Sequence, residues 1–319
     1  MLGDDANVAI RGGWQHDKQR SAMTIVPQWI KRYLRKSRTL VSLNSRIHWR
    51  VYLFKDWWGT IVWRKTTLIE TSYGFKFRSG SHPAYRLMRT GRFEVEETAL
   101  IATLLDRVDL FVDIGANIGY YTCLALKKGK PVVAFEPQPR NLQCLYENLL
   151  SNGWRDNVEV FPLALSARAG LLTLWGASGP SASLVRNWAG YSPRHSQIVP
   201  VSKLDNFITG RFPEKRILIK IDVEGAECQV LQGSDVTLRR SPRPIWLVEI
   251  CLNEFHPKGA NPDYLETFEL FWKCGYQAYS ASKTPQLVTR DDVSRWVNAK
   301  KSDSGTFNYL FAESGEVLE

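Results

Sequence analysis

One stretch near the middle of the chain, DLFVDIGANIGYYT (Asp109–Thr122), does most to limit what the sequence can fold into. Apolar residues lead into a carboxylate, two glycines frame an asparagine, and apolar residues resume. Strand, tight turn and helix is the reading that fits. The same alternation continues downstream. PVVAFE (131–136) predicts a strand and residues 139–151 a helix. NVEVFPLAL (157–165) and GLLTLWG (170–176) predict strands, and QIVPVSKLDNFI (197–208) a strand and then a short helix. RILIKIDV (216–223) predicts a strand, and the following helix ends at Gly233. PIWLVEIC (244–251) precedes a helix near 262–274, and β-branched and aromatic segments close the chain at 276–289 and 306–312. Apolar strands alternating with helices predict a mostly parallel sheet with helices on both faces, a doubly wound, Rossmann-like α/β fold.

Upstream, TTLIETSYGFKFRSG predicts a hairpin turning at Tyr73–Gly74, and VEETALIATLL a short helix. Charge separates these from the front of the chain. Residues 1–66 hold 13 of the 42 Lys and Arg but 4 of the 32 Asp and Glu, a net +9, and the remainder carries a net +1. The division expected is therefore a basic, partly mobile helical extension over 1–66 and a nearly neutral body over 67–319, its core near 108–282. Basic and apolar residues alternate over 27–65, with Trp57, Trp58 and Trp63 among them. Two readings stand there: contact with an anionic membrane, or a helical extension with solvated charges. A near-neutral body argues against nucleic acid as the partner. There is no apolar run of spanning length and no basic-then-apolar leader, so the expected location is cytoplasmic, or peripheral to the inner face of the membrane. The five cysteines are dispersed and form no C-x-x-C, which fits buried free thiols rather than disulfides or zinc ligation.

The chemistry concentrates at the predicted strand ends, where open parallel sheets bind ligands. Gly115 and Gly119 allow a tight turn and close backbone approach, and the helix after them offers N–H groups. Glu136 ends the next strand, where a carboxylate can accept the hydroxyls of a ribose. Asn117 stands where a dinucleotide fingerprint would need glycine, and no P-loop occurs. The form D-x-G-x-N-x-G, beginning at Asp113, instead resembles motif I of class I S-adenosylmethionine-dependent methyltransferases. Four ordered stretches, FVDIGANIGYYT, VVAFEPQPRNLQCLYENLLSNG, VEVFPLALSARAGLLTLW and ILIKIDVEGAECQVLQG, are together similar to the FkbM-type methyltransferase family. The upstream ETSYGFKF and the later WLVEI fit the same pattern, so the resemblance runs over about 68–282.

That resemblance implies S-adenosyl-L-methionine as cofactor, held by Asp113, Gly115, Asn117 and Gly119, with Glu136 on the ribose and Pro137 shaping the turn. Leu163 and Ala164 would flank the adenine, or belong to the core. It also implies O-methylation of a secondary metabolite or a glycan-type acceptor. In KIDVEGAE, the acids Asp222, Glu224 and Glu227 surround a strand end beside Lys220, and the Asn/Asp-Pro-Pro-aromatic stretch of amino-group methyltransferases is absent. Asp222 or Glu224 can take the proton of an acceptor hydroxyl, or cap the helix that follows. His256, in NEFHP, is a further candidate base, or a surface histidine without a role. Glu249 ends the next strand and faces the acceptor or, with Asp222, a cation, though two carboxylates make too thin a set to predict a metal. Three rivals stay open: an RNA methyltransferase using the basic front end, a nicotinamide-dependent oxidoreductase, and a cofactor-binding module without turnover.

Overall fold

The computed structural model describes residues 68–78, 87–88, 90–176, 181–190 and 195–315. The expected basic extension over 1–66, with its membrane-contact segment, lies outside them. The hairpin forms as predicted, β1 (Ile69–Glu70) pairing antiparallel with β2 (Lys76–Phe77), and α1 (Val95–Leu105) follows. Next come β3 (Leu110–Ile114), α2 (Tyr120–Lys127), β4 (Val132–Phe135), α3 (Pro139–Ser151) and β5 (Val158–Phe161). After β6 (Ala164–Leu165), β7 (Gly170–Trp175) and β8 (Ser196–Ser202), the chain forms α4 (Asp205–Ile208), β9 (Ile217–Ile221), α5 (Glu227–Gln232), α6 (Asp235–Arg239) and β10 (Ile245–Glu249). It closes with α7 (Tyr264–Lys273), β11 (Gln277–Ser280), β12 (Leu287–Val288), α8 (Arg290–Ala299) and β13 (Asn308–Ala312).

Eight strands form the main sheet in the order β12-β11-β13-β10-β9-β3-β4-β5. β5, β4, β3, β9 and β10 are mutually parallel, and β13 runs antiparallel between β10 and β11. The chain winds outward from β3 through β4 to β5, then restarts on the other side of β3 with β9. The crevice at the carboxyl ends of β3 and β9 is thus the topological switch point, where such sheets bind ligands.

The two faces follow from strand alternation. Phe111, Val132, Ala134, Leu218, Ile245 and Leu247 point to the layer with Ile101, Leu104, Leu124 and Leu145 of α1–α3. Their neighbours Val112, Val133, Ile219, Ile221, Trp246 and Val248 point to the layer of Ile208, Val230, Leu238, Phe268 and Val293, from α4–α8. Phe271 stacks on Phe311 with centroids 3.7 Å apart, fixing α7 against the antiparallel strand. The predicted doubly wound fold is the observed one.

Two local expectations change. The strand predicted over 157–165 divides, because Pro162 has no N–H for the ladder. β6 then joins β8 and β7 in a separate three-stranded sheet with its own core of Ala164, Leu174, Val199 and Val201. Residues 290–299, which lie between the two closing segments and carried no expectation, are helix α8, started by a reciprocal cap between Thr289 and Asp292. All five cysteines are buried and unpaired. Among the described residues no helix is long and apolar enough to cross a membrane.

Candidate functional site

Asp113 lies in β3 on the α1–α3 side, 2% exposed, and accepts a hydrogen bond from Thr122 Oγ1 at 2.6 Å. Burial raises its pKa, opposed by nearby Lys220 and by the Thr122 bond. The turn after it is fixed on both sides. Gly115 N donates to Phe135 O at 2.9 Å, and Asp222 N donates to Ile114 O at 3.0 Å. A Cβ on Gly115 would sit 1.9 Å from the carbonyl oxygen of Asp222, and the residue has φ +84°. Glycine is required there by the close approach of the β9 strand end as well as by the turn. Asn117 has φ 52°, and its N–H donates to Glu136 Oε2 at 2.8 Å. Gly119 begins α2, which no side chain caps.

Glu136 is 5% exposed. Its other oxygen accepts from Gln138 N at 2.8 Å and from Asn141 Nδ2 at 3.3 Å, while Pro137 carries the chain round toward α3. Burial pushes this carboxyl up to about 7 in spite of those bonds. Asp113, Gly115, Asn117, Gly119 and Glu136 are therefore one continuous rim, closed by the Asp222 backbone. Of the two adenine candidates, Leu163 is half-buried against the main core and Ala164 is packed in the core of the small sheet, which accounts for its burial without a ligand.

Across the switch point, Lys220 on β9 is the register partner of Asp113. Its ammonium is 2.8 Å from Asp222 Oδ2 and 3.9 Å from Glu97 Oε1, and 5.0 Å above the Tyr121 ring. Burial opposes its charge, and Asp222 with Glu97 and Glu94 more than restores it, so its pKa is raised. Glu224 occupies the turn with φ 58°. Trp188 Nε1 donates to its Oε2 at 2.7 Å, and Ser183 Oγ donates to its carbonyl at 2.6 Å. Gly225 lies directly under Trp188: a Cβ there would be 2.3 Å from the ring. The tryptophan ring also meets His256 edge-on at 5.9 Å, and Ala189 N donates to Phe255 O at 2.8 Å. Burial, then Lys258, lower the His256 pKa.

Helix capping is not what Asp222 and Glu224 do, since α5 starts at Glu227 with no side-chain cap. Glu227 turns back to accept from Gly225 N at 2.9 Å, and burial lifts its carboxyl to about 8. Glu249 is held well above the ordinary carboxylate range by burial and by Asp222. Among the described residues no three His, Cys, Asp or Glu are arranged to hold a metal ion. Glu94, Glu97, Tyr121, Asn308, Ser183 and Trp188 are site residues that sequence reasoning missed. Glu97 lay inside the predicted helix and Glu94 just before it, where nothing in the local pattern marks either as facing the site.

A doubly wound sheet in which only β12 and β13 run against the others, a glycine-framed turn at its switch point and a buried acid ending the next strand make a Rossmann-like α/β domain with a candidate cofactor rim. The family model described as the Methyltransferase FkbM domain matches residues 113–278, and the chain belongs to that family. The hexuronic acid methyltransferase AglP of Haloferax volcanii is 28% identical over 190 residues, covering 58% of this chain and 75% of its own length. Among solved structures, methyltransferase FkbM from Methylobacillus flagellatus KT is 15% identical with a TM-score of 0.41, over 80% of this chain and 60% of that one. An O-methyltransferase from Bacillus cereus in complex with SAH is 12% identical with a TM-score of 0.38, over 68% of this chain and 80% of that one.

Proposed function

We propose that residues 67–319 transfer a methyl group from S-adenosylmethionine to a hydroxyl oxygen of a glycan-type or other small-molecule acceptor. The observation that carries this reading is Asp222: its carboxylate is held at the switch point by a buried lysine, and its backbone lies against the glycine turn. The rim suits the cofactor. Glu136 stands buried at a strand end where a ribose diol would donate to it, Gly115 leaves no side chain at the turn, and Asp113 offers negative charge to an ammonium group. When bound, the cofactor supplies an already activated methyl group.

The chain's task is then positioning and proton removal. Asp222 takes the hydroxyl proton, Lys220 keeps that carboxylate oriented, and Glu224, tied to Trp188, lines the acceptor side with His256 behind it. The name of the Haloferax relative, a hexuronic acid methyltransferase, supports a sugar-type acceptor. We place the reaction in the cytoplasm, with residues 27–65 as a proposed contact to anionic membrane.

Titration calorimetry with S-adenosylmethionine, with NADH as control, tests the cofactor. Binding of the first alone is expected, and Asp113→Ala and Glu136→Ala should each weaken it by more than about tenfold. Transfer of labelled methyl to uronic-acid-containing and neutral oligosaccharides tests the acceptor. Binding of NADH instead, or unchanged affinity in both variants, contradicts the assignment.

A further inference from the structure

The switch-point crevice has an uneven charge. Asp113, Lys220 and Glu249 end the rows of β3, β9 and β10 that face α1–α3, as their neighbours Phe111, Leu218 and Leu247 show. Asn308 of β13 stands opposite Glu249. Glu94, at the N-cap of α1, and Glu97 within it lie over this row. Asn308 Nδ2 donates to Glu97 Oε2 at 2.7 Å, and Tyr121 OH donates to Glu94 Oε2 at 2.7 Å. With Asp222 and Glu224 of the turn after β9, six carboxyl groups share the space with one ammonium among the described residues, that of Lys220. Thr122 and Tyr121 of α2 add only hydroxyls. Burial raises the pKa of the Glu94, Glu97 and Glu249 carboxyls, which favours their holding protons, and Lys220 opposes it.

We propose that Glu94 and Glu97, across Lys220 from Asp113 and Asp222, make the crevice select the cationic cofactor over its neutral demethylated product, the acids releasing protons to solvent as the cation enters. This rests on the methyltransferase reading above. S-adenosylmethionine carries an ammonium, a sulfonium and a carboxylate, a net single positive charge. S-adenosylhomocysteine keeps the ammonium and carboxylate and is neutral. A cation favours the ionised form of nearby acids, so binding it must displace protons that the neutral product leaves in place. The balance closes on transfer: the O–H and S–CH3 bonds break, an O–CH3 bond forms, the sulfonium becomes a thioether, and the hydroxyl proton returns to a carboxylate. Glu136 faces the ribose in both ligands, so its protons cancel in the comparison.

Calorimetry on the full chain at neutral pH, in phosphate and in Tris, counts the protons released with each ligand. S-adenosylmethionine should release more than S-adenosylhomocysteine, and the difference should shrink in E97Q and in E94Q, two variants so that misfolding of one does not decide the result. The acids' raised positions set the sign: selectivity for the methyl donor grows as pH rises above the ordinary carboxylate range, by about threefold per pH unit for each half proton of difference. Equal proton counts for the two ligands, or a difference unchanged in both variants, overturn the inference. Failure of the wild type to bind either ligand overturns the cofactor reading itself, and this with it.

Discussion

Replacing Gly115 with alanine tests whether the motif glycine serves the contact between two strand ends. Two costs add. The residue has φ +84°, and an alanine held there costs roughly 1–2 kcal/mol. Its Cβ would also lie 1.9 Å from the Asp222 carbonyl oxygen, which is backbone and cannot rotate away. The β9 turn is fixed by the 3.0 Å bond from Asp222 N to Ile114 O, and Gly115 by its own 2.9 Å bond to Phe135 O. Relief therefore means separating β3 from β9, an overpacking cost of about 1–3 kcal/mol, for a total of roughly 2–5 kcal/mol. Gly129 supplies the control: its φ is +74°, and a Cβ there meets nothing within 4 Å. Gly129→Ala should show the backbone cost alone, roughly 1–2 kcal/mol. Urea unfolding of both variants measures the difference, and titration with S-adenosylmethionine asks whether the displaced turn still binds. Gly115→Ala should lose more than about tenfold in affinity and Gly129→Ala little. Equal destabilisation of the two, or unimpaired binding in Gly115→Ala, would refute the reasoning.

Glu136→Gln should change how stability depends on pH. The carboxyl is held at about 7 in the fold against an ordinary 4.5. Its contribution is therefore complete below pH 4.5 and is lost as pH climbs through 7, a fall of about 3 kcal/mol that the variant should not show. Urea midpoints across that window measure it, and parallel curves for both proteins would count against the assignment. Trp188→Phe keeps a ring over Gly225 but removes the 2.7 Å bond to Glu224, and should cost about 1.5–3 kcal/mol. A double-mutant cycle with Glu224→Gln isolates that bond, and a coupling energy near zero would remove Trp188 from the role given to it.

Local signals carried most of the element list. α3 falls on Pro139–Ser151 as predicted because Pro139 suits a first helical turn and the apolar residues repeat at helical spacing. α5 ends where Gly233 said it would. α8 was equally legible: Thr289 and Asp292 stand three apart before Val293 and Trp296, a capping box ahead of a buried stripe, overlooked because the flanking residues read as strand. The three-stranded sheet is a different case. β5, β6, β7 and β8 all look like strands, but alternation gives a strand its faces and not its partner. Only the proline between Phe161 and Ala164 hints that the ladder stops there.

The site divides in the same way. Its candidate cofactor rim is local, because Asp113, Gly115, Asn117 and Gly119 belong to one turn and Glu136 to the next strand end: the turn and strand end pointed to Gly115, Gly119 and Glu136, and the family resemblance added Asp113 and Asn117. Its charge balance is not local. Asn308 bonds to Glu97 across 211 residues, and Lys220 meets Asp113 only because β9 restarts the sheet beside β3. Read in sequence, KIDVEGAE is an acid-rich turn whose lysine could as well point to solvent. What covers that lysine is the start of α1, where Glu97 lies above it and Glu94, at the cap, beside Tyr121. A lysine 3% exposed is tolerable only with paired acids, and burial raises the pKa of Glu94 and Glu97 while Lys220 lowers it. Each group is therefore explained by the others. A substitution at Glu97 should accordingly be felt at Asp222, through Lys220, without either acid touching the other.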